Sequence, residues 1–406
     1  MRGGVVTKTT RWSALVALLG AAVAVAAIAG TTSSRAGTDA KKPIVIGWAF
    51  DSSGNMAPFD NPALAAAKIR VKQINAKGGV GGRRIQIKTC NTQGNNPTTA
   101  KACAVSLLGQ GSNIIFTTCD VDYATPVVQA AINRGVLAVA PCIGTDQMGP
   151  KRFAAKGKLA FSFGNVAQDE GSAMAQYAWS RGWKSAALAT NTYLVYFKNV
   201  VQAFDIRFRQ LGGKIVDRES YATGANNVNS AVTRLNSHKA SVYVTSTAFG
   251  ELPSFVSGIR SLGNKTPILN SWAGDGTYWA TNNPKVTNYY CVTYASVFGD
   301  DPSSAVRAMI ASLKKAGTAP GTGGFLGGAD AIDGVVTAIK RAHGSTKGSL
   351  LSAQLVKFKR VPVLGGRISF SAKLLTVFGR DYRVIQIQNN KASFKGLVRA
   401  KVIPKL

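Results

Sequence analysis

Acidic side chains are scarce in this chain of 406 residues, with 18 Asp and Glu against 49 Lys and Arg. The resulting formal charge of +31 creates a field that draws a protein toward phosphate or other anionic polymers, without naming the polymer. The cations stand singly and in pairs such as Lys41-Lys42, Arg83-Arg84 and Lys340-Arg341, with no interleaved aromatics, so a base-stacking nucleic-acid platform is not expected. They read as a solvated surface facing an anionic cell envelope. Histidine is scarcer still: only His238 and His343 occur, both at predicted helix ends, and no Cys-x-x-Cys accompanies them. That excludes a zinc site of ordinary spacing, and no metal is expected. His-Glu-x-x-His, a phosphate loop ending in Gly-Lys-Ser/Thr and Gly-x-Ser-x-Gly are all absent. Three common reaction classes therefore lack their local signatures, and the expectation is a protein without catalytic residues or cofactor. No short-period repeat appears, and no apolar run beyond residue 29 is long enough for a multi-span membrane protein.

What is present is enough apolar sequence, 46% of the residues, to bury a core, which excludes wholesale disorder. The length suggests two or three units of about 100 to 200 residues. From Ser13 to Ala29 the chain is apolar except for Ser13 and Gly20; Arg2, Lys8 and Arg11 precede the run and Ala27-Ile28-Ala29 ends it with small residues. This is the pattern of a signal peptide over 1–29, placing the remainder outside the cytoplasm. An uncleaved anchor is the alternative, at the short end of a spanning helix. The leader holds only three of the cations, so the rest of the chain is itself strongly basic. Residues 30–43 form a polar linker.

Strands and helices then alternate, the signature of parallel α/β units. Ile44 to Trp48 reads as a first strand, followed by a helix capped by Asn61 with Pro62 at its first position and stopped by Gly78-Gly79. A second strand leads to another Asn-Pro start at Asn96-Pro97. A second series begins after Phe163 to Val166, with a helix from Asp169 to Arg181. Asp301-Pro302 is expected to start a late helix, and strands Gly366 to Phe370 and Arg383 to Gln388 to finish the chain. The glycine-rich segment 321–328, GTGGFLGG, reads as a loop. The fold class expected is α/β, two doubly wound parallel-sheet lobes.

Five cysteines in an exported chain suggest bridges with one thiol over. Cys119 and Cys142 each follow a predicted strand, and neighbouring parallel strands bring those ends together, so this pair is favoured; Cys90 with Cys103 is the weaker second pair, leaving Cys291. In open α/β sheets ligands collect beyond the carboxyl ends of strands. The loops there hold Asp51, Asp60, Asp120, Asp122, Asp146 and Asp275, a third of the scarce acids, which suits a cationic group on a ligand. Helix capping is the competing reading for each of them, and Asp122 before Tyr123 fits it well. The same loops hold Phe59, Tyr123, Tyr193, Tyr196, Phe249, Trp272, Tyr278 and Trp279, a set of rings able to enclose an apolar body or a cation.

The run IVIGWAFDSSGNMAPFDNPALAAAKIRVKQINAKGGVGGRRIQIKTCNTQGNNP, residues 44–97, resembles the start of the leucine/isoleucine/valine-binding-protein type of extracellular solute receptor, a type I periplasmic binding protein. The most specific part is Ala66 to Arg84, and a weaker resemblance continues to about residue 395. It implies two lobes joined by three hinge crossings, near Gly164, Cys291 to Val297 and Gly366. Lobe I would comprise 44–163 and 294–366, lobe II 164–293 and 367–395, with 396–406 a basic tail. It further implies a monomeric subunit that binds a small-molecule solute between the lobes and presents it to the membrane permease of an ABC importer. By the same resemblance, Asp120 stands where amino-acid-binding members use a Ser for the ligand carboxylate. The segment Pro141 to Thr145, with Cys142 and Thr145, matches the loop offering backbone groups and a hydroxyl. Tyr196 and Tyr193 are similar to the tyrosine closing the site, Phe59 to its aromatic side wall, and Asp275 to the amine-binding carboxylate. Because Asp120 replaces a hydroxyl donor, an ordinary branched-chain amino acid is put in question, and a ligand with an additional amine or hydroxyl groups is expected. A ligand-sensing receptor domain and an envelope polyanion-binding protein are the alternatives.

Overall fold

The computed structural model describes residues 41–406; the expected signal peptide and most of the linker lie outside the described residues. The chain runs β1 (Ile44–Phe50), α1 (Ala57–Ala76), β2 (Ile85–Asn91), α2 (Pro97–Gly109), β3 (Ile114–Phe116), α3 (Val121–Asn133), β4 (Leu137–Ala140), the single turn α4 (Pro150–Phe153) and β5 (Ala160–Asn165). It continues through α5 (Ala167–Ser180), β6 (Ser185–Asn191), α6 (Val195–Gln210), β7 (Lys214–Tyr221), α7 (Ala225–Asn236), β8 (Val242–Ser246), α8 (Glu251–Ser261), β9 (Ile268–Asn270) and β10 (Tyr289–Thr293). The last elements are α9 (Ser304–Lys315), α10 (Leu326–Arg341), α11 (Gly348–Leu355), β11 (Val361–Val363), β12 (Gly366–Ser371), β13 (Leu374–Phe378), β14 (Tyr382–Gln388) and β15 (Lys391–Val398).

Two sheets result, with strand orders β11-β12-β13-β5-β4-β3-β1-β2 and β15-β14-β10-β9-β8-β6-β7. Their central strands are parallel and their late edge strands antiparallel. The strand IVIGWAF reads as an unbroken apolar run because β1 lies between β2 and β3 with helices over both faces. Asn96 caps α2, accepting a hydrogen bond from Thr99 N at 3.0 Å, with Pro97 at the first position where a missing N–H is harmless. One buried apolar cluster runs from Ile44 and Trp48 of the first lobe through Trp272 and Val292 of the second, so the two sheets share a core across the seam.

Several boundaries differ from the sequence reading. The third crossing lies at Gly379–Asp381, not at Gly366: β12 and β13 form an antiparallel hairpin, and β13 joins β5 in the first sheet. Burial decides this, because Phe370 packs edge-on against Phe161 and Phe163 at 5.4 and 5.3 Å. Residues 367–378 therefore belong with the first lobe. Residues 396–398 are part of β15, and Ser172 Oγ donates to Val402 O at 2.5 Å, so the basic tail is packed onto α5. Helix α1 begins at Ala57 with Pro58 in its first turn, and Pro62 lies inside it. Ser303, not Asp301, caps α9. The GTGGFLGG segment is a short 3-10 turn over Gly323–Phe325 entering α10. Its last two glycines let α10 approach closely, since a Cβ on Gly328 would lie 1.8 Å from Ala63 O and one on Gly327 2.3 Å from Pro141 O.

The crossings are held by a buried polar network. Asn165 N donates to Tyr294 Oη at 3.1 Å and Val166 N to Val377 O at 2.8 Å. Arg380, at 1% exposure, lies 2.9 Å from the Asp330 carboxylate as an ion pair and donates to Phe163 O. Arg383 reaches both oxygens of Asp301 at 3.0 and 3.2 Å. Both proposed disulfide pairs, Cys90–Cys103 and Cys119–Cys142, are bonded, and Cys291 is a buried free thiol.

Candidate functional site

Where the carboxyl ends of the two sheets face each other, the loops enclose a cavity of about 20 Å³, room for roughly one water molecule. The first lobe supplies Met56 and Phe59 from the start of α1, and Cys119 and Asp120 from the β3–α3 loop. The second supplies Leu194, Tyr196 and Phe197 from the entry to α6, Ala248 and Phe249 after β8, and Trp272 after β9. Rings from opposite lobes meet directly: Phe59 and Trp272 pack edge to face with centroids 4.9 Å apart. The Tyr196 ring covers Gly144, where a Cβ would lie 2.6 Å from it, so this close approach requires glycine. At the mouth the hydroxyls of Tyr123 and Tyr193 share a hydrogen bond of 2.5 Å, and Val195 N donates to Asp122 Oδ2 at 3.2 Å. These contacts bridge the lobes, and a guest larger than water enters only when they part.

The structure thus brings Phe59, Asp120, Tyr196, Phe249 and Trp272 to one cavity. Tyr193 stands at its rim, 41% exposed, against Phe249. Cys142, Thr145 and Asp275 are not brought there. Cys142 is in the disulfide, and Thr145 is turned inward, its carbonyl accepting from Thr376 Oγ1 at 2.8 Å. Asp275 accepts from Thr293 Oγ1 at 2.6 Å, Gly276 N at 2.7 Å and Gly323 N, which ties the loop after β9 to the turn before α10. Saturated by the protein's own donors, it is not available to an amine; burial still raises its pKa to about 6.

The other acids divide in the same manner. Asp51 accepts from Gly54 N at 2.8 Å and Met56 N at 3.2 Å, and Asp60 from Asp51 N at 2.8 Å and Cys119 N at 2.9 Å. They pin the loops that carry Met56, Phe59 and Cys119, and burial raises Asp60 to about 7. Asp146 binds Lys151 and Gln168 outside the cavity, and Asp122 pairs with Arg152 at 2.6 Å. Asp120, 3% exposed, is the cap of α3: its Oδ1 accepts from Asp122 N at 2.8 Å and Tyr123 N at 3.4 Å. Burial, and next the charge of Asp122, raise its pKa to about 7.

Sequence reasoning missed Glu170. It lies in the first turn of α5, fully buried, accepting from Tyr196 Oη and from Trp272 N, each at 2.7 Å, and burial pushes its pKa to about 8. It supports the two rings that form the second lobe's wall. Its signal in the sequence is the Asp169-Glu170 pair directly after the first crossing in a chain so poor in acids, at a helical position outside the strand-end loops. Larger hollows exist away from the seam; that of about 670 Å³ beside α1 and α10, with Arg70, Lys77 and Lys340, is an open surface groove rather than an enclosure between lobes.

Residues 43–392 match the family model described as periplasmic binding protein. A curated relative, the Leu/Ile/Val-binding protein homolog 3 of Brucella melitensis, is 22% identical over 329 residues, covering 81% of this chain and 87% of its own. Among solved structures, LivJ of Streptococcus pneumoniae, a branched-chain amino acid transporter substrate-binding protein in complex with isoleucine, superposes with a TM-score of 0.74. It is 20% identical, over 88% of this chain and 99% of that one. A solute-binding protein of an ABC transporter from Rhodopseudomonas palustris, in complex with 3,4-dihydroxybenzoic acid, gives 0.73 at 17% identity over 89% and 99%. At such identities the superpositions speak for the fold alone. Two mainly parallel sheets joined by three crossings, loops converging on the seam, and a family match spanning most of the sequence lead to one conclusion: the chain belongs to the periplasmic binding protein family.

Proposed function

We propose that this protein is the extracellular solute-binding subunit of an ABC importer, which takes a small polar solute between its lobes and delivers it unaltered to a membrane permease. The observation that carries this reading is the cavity at the seam, whose two walls come from different sheets and whose rim contacts are few and separable. A hinged pair of walls lets a solute that contacts both of them favour closure, because only differential affinity moves such an equilibrium. The amino-acid and aromatic-acid complexes of the similar structures support a small organic solute. The protein acts as a monomer in the cell envelope and breaks no bond.

The test is thermal melting with a panel of amino acids, amines, polyols and small acids. Binding to the native state raises the Tm in proportion to RT ln(1 + [L]/Kd), so one class should give a clear rise. No rise with any class overturns the reading.

A second reading, an envelope polyanion binder, is favoured by one specific observation. Among the described residues eight acids are buried against three cations, Arg260, Arg380 and Arg383, so the outer surface is more basic than the composition implies. Polyanion binding weakens steeply with salt while capture in a buried cavity does not, so affinity measured at low and high salt separates the two.

A further inference from the structure

We infer that the solute carries an ammonium group and no carboxylate: the seam cavity is built to receive a small organic amine. The inference rests on the capture reading above and narrows it.

A solute carboxylate in an α/β cleft is ordinarily met by free N–H groups at helix N-termini. Here several of those groups are already taken by the protein's own acceptors, and acids crowd the helix starts. Asp120 Oδ1 occupies the first N–H groups of α3, and Asp122 Oδ2 accepts from Val195 N at the start of α6. In α5, Ala167 N donates to Gly144 O at 2.6 Å, and Asp169 and Glu170 stand within the first turn. In α1, Asp60 does the same, and Asp51 Oδ2 accepts from Met56 N. Among the described residues no Lys or Arg lines the cavity. A carboxylate brought there would meet the carboxyl of Asp120 with no cation in the lining to pair with, and burying an unpaired charge is strongly unfavourable.

The same walls suit a cation. Asp120 lines the cavity at 3% exposure, and while its Oδ1 is committed to α3, its Oδ2 accepts no hydrogen bond from any described residue. Around it stand Phe59, Tyr196, Phe249 and Trp272, whose ring faces attract an ammonium. The indole N–H of Trp272 is buried without a partner, a donor that a hydroxyl on the solute could meet. The enclosed volume of about 20 Å³ accepts a group the size of water, which an ammonium head is, while the body of the amine separates the rings as the lobes part.

Two pairs of probes test this with the full chain freed of bound solute by unfolding and refolding. 3-Methylbutylamine and benzylamine are set against 4-methylpentanoate and benzoate, with leucine as the compound bearing both groups, and Kd is read by calorimetry. The amines are expected to bind at least about tenfold tighter than the acids, the worth of one charge-assisted hydrogen bond. Asp120→Asn keeps a capping oxygen for α3, and should lose about tenfold in amine affinity with its Tm little changed. Benzoate or leucine binding as tightly as the amines overturns the inference and leaves solute capture standing, as does selective binding of a polyol. Unchanged amine affinity in Asp120→Asn also overturns it. A failure of every probe and of the wider panel overturns capture itself, and the inference with it.

Discussion

Two regions of this molecule bury carboxylates, and they do so in opposite ways. At the hinge, Asp330 and Asp301 are matched by Arg380 and Arg383, cations that are themselves almost fully buried. At the cavity, Asp120 and Glu170 are matched by N–H groups, a tyrosine hydroxyl and ring faces, with no arginine or lysine in the lining. The difference teaches where charge is structural and where it waits for a partner. Burial raises the Asp330 carboxyl to about 6 even though the Arg380 charge beside it opposes the rise, whereas Asp120 and Glu170, held mainly by neutral donors, are pushed to about 7 and about 8, and an incoming cation would restore their charge.

The comparison breaks most visibly at the hinge. Arg380→Ala leaves Asp330 buried without its cation and should cost about 3 to 5 kcal/mol of stability in urea unfolding. Asp120→Asn should cost no more than about 0.5 kcal/mol, since Asn caps α3 as well as Asp does. Equal losses from the two substitutions would erase the distinction.

A smaller effect appears as a slope with pH. Glu170 has a native pKa of about 8 against an ordinary 4.5, so the native state binds its proton more tightly than the unfolded chain. Its contribution to stability is fullest below pH 4.5 and is lost as pH rises to 8. Glu170→Gln, which retains an oxygen for Trp272 N, should flatten that decline. It should leave stability near pH 4 little changed and raise it at pH 7 and further at pH 9, as followed by urea midpoints across pH. An unaltered slope would show that Glu170 titrates alike in both states.

The smallest effect belongs to the rim. Tyr193→Phe removes the hydroxyl contact with Tyr123 and should weaken closure by about 0.5 to 1 kcal/mol, a few-fold shift toward the open form. Fluorescence energy transfer between labels on the two lobes reads that shift, and the fold should be unaffected.

Legibility followed locality. The alternation of strands and helices, the Asn96-Pro97 cap and the strand-end cysteines could be read from the chain because each depends on neighbours or on a repeated pattern. The lobe of the hairpin β12–β13 is not legible, because nothing in residues 366–378 says which sheet edge is open; Phe161 and Phe163, some 200 residues earlier, decide it. The rings of the site could be nominated from their loops, but not sorted. Asp275 and Asp120 look alike in sequence, both short acids after a strand. One is saturated by Thr293, Gly276 and Gly323, and the other keeps an oxygen toward the seam.

The class of fold, the excess of positive charge and the set of loops from which a site could be drawn are all written in the order of residues, because periodicity, composition and strand ends are properties of the chain. Tertiary structure alone decided which acids meet cations, which meet rings, and how little space remains between the lobes. Those outcomes depend on desolvation, and a residue is desolvated only by groups that folding brings from elsewhere.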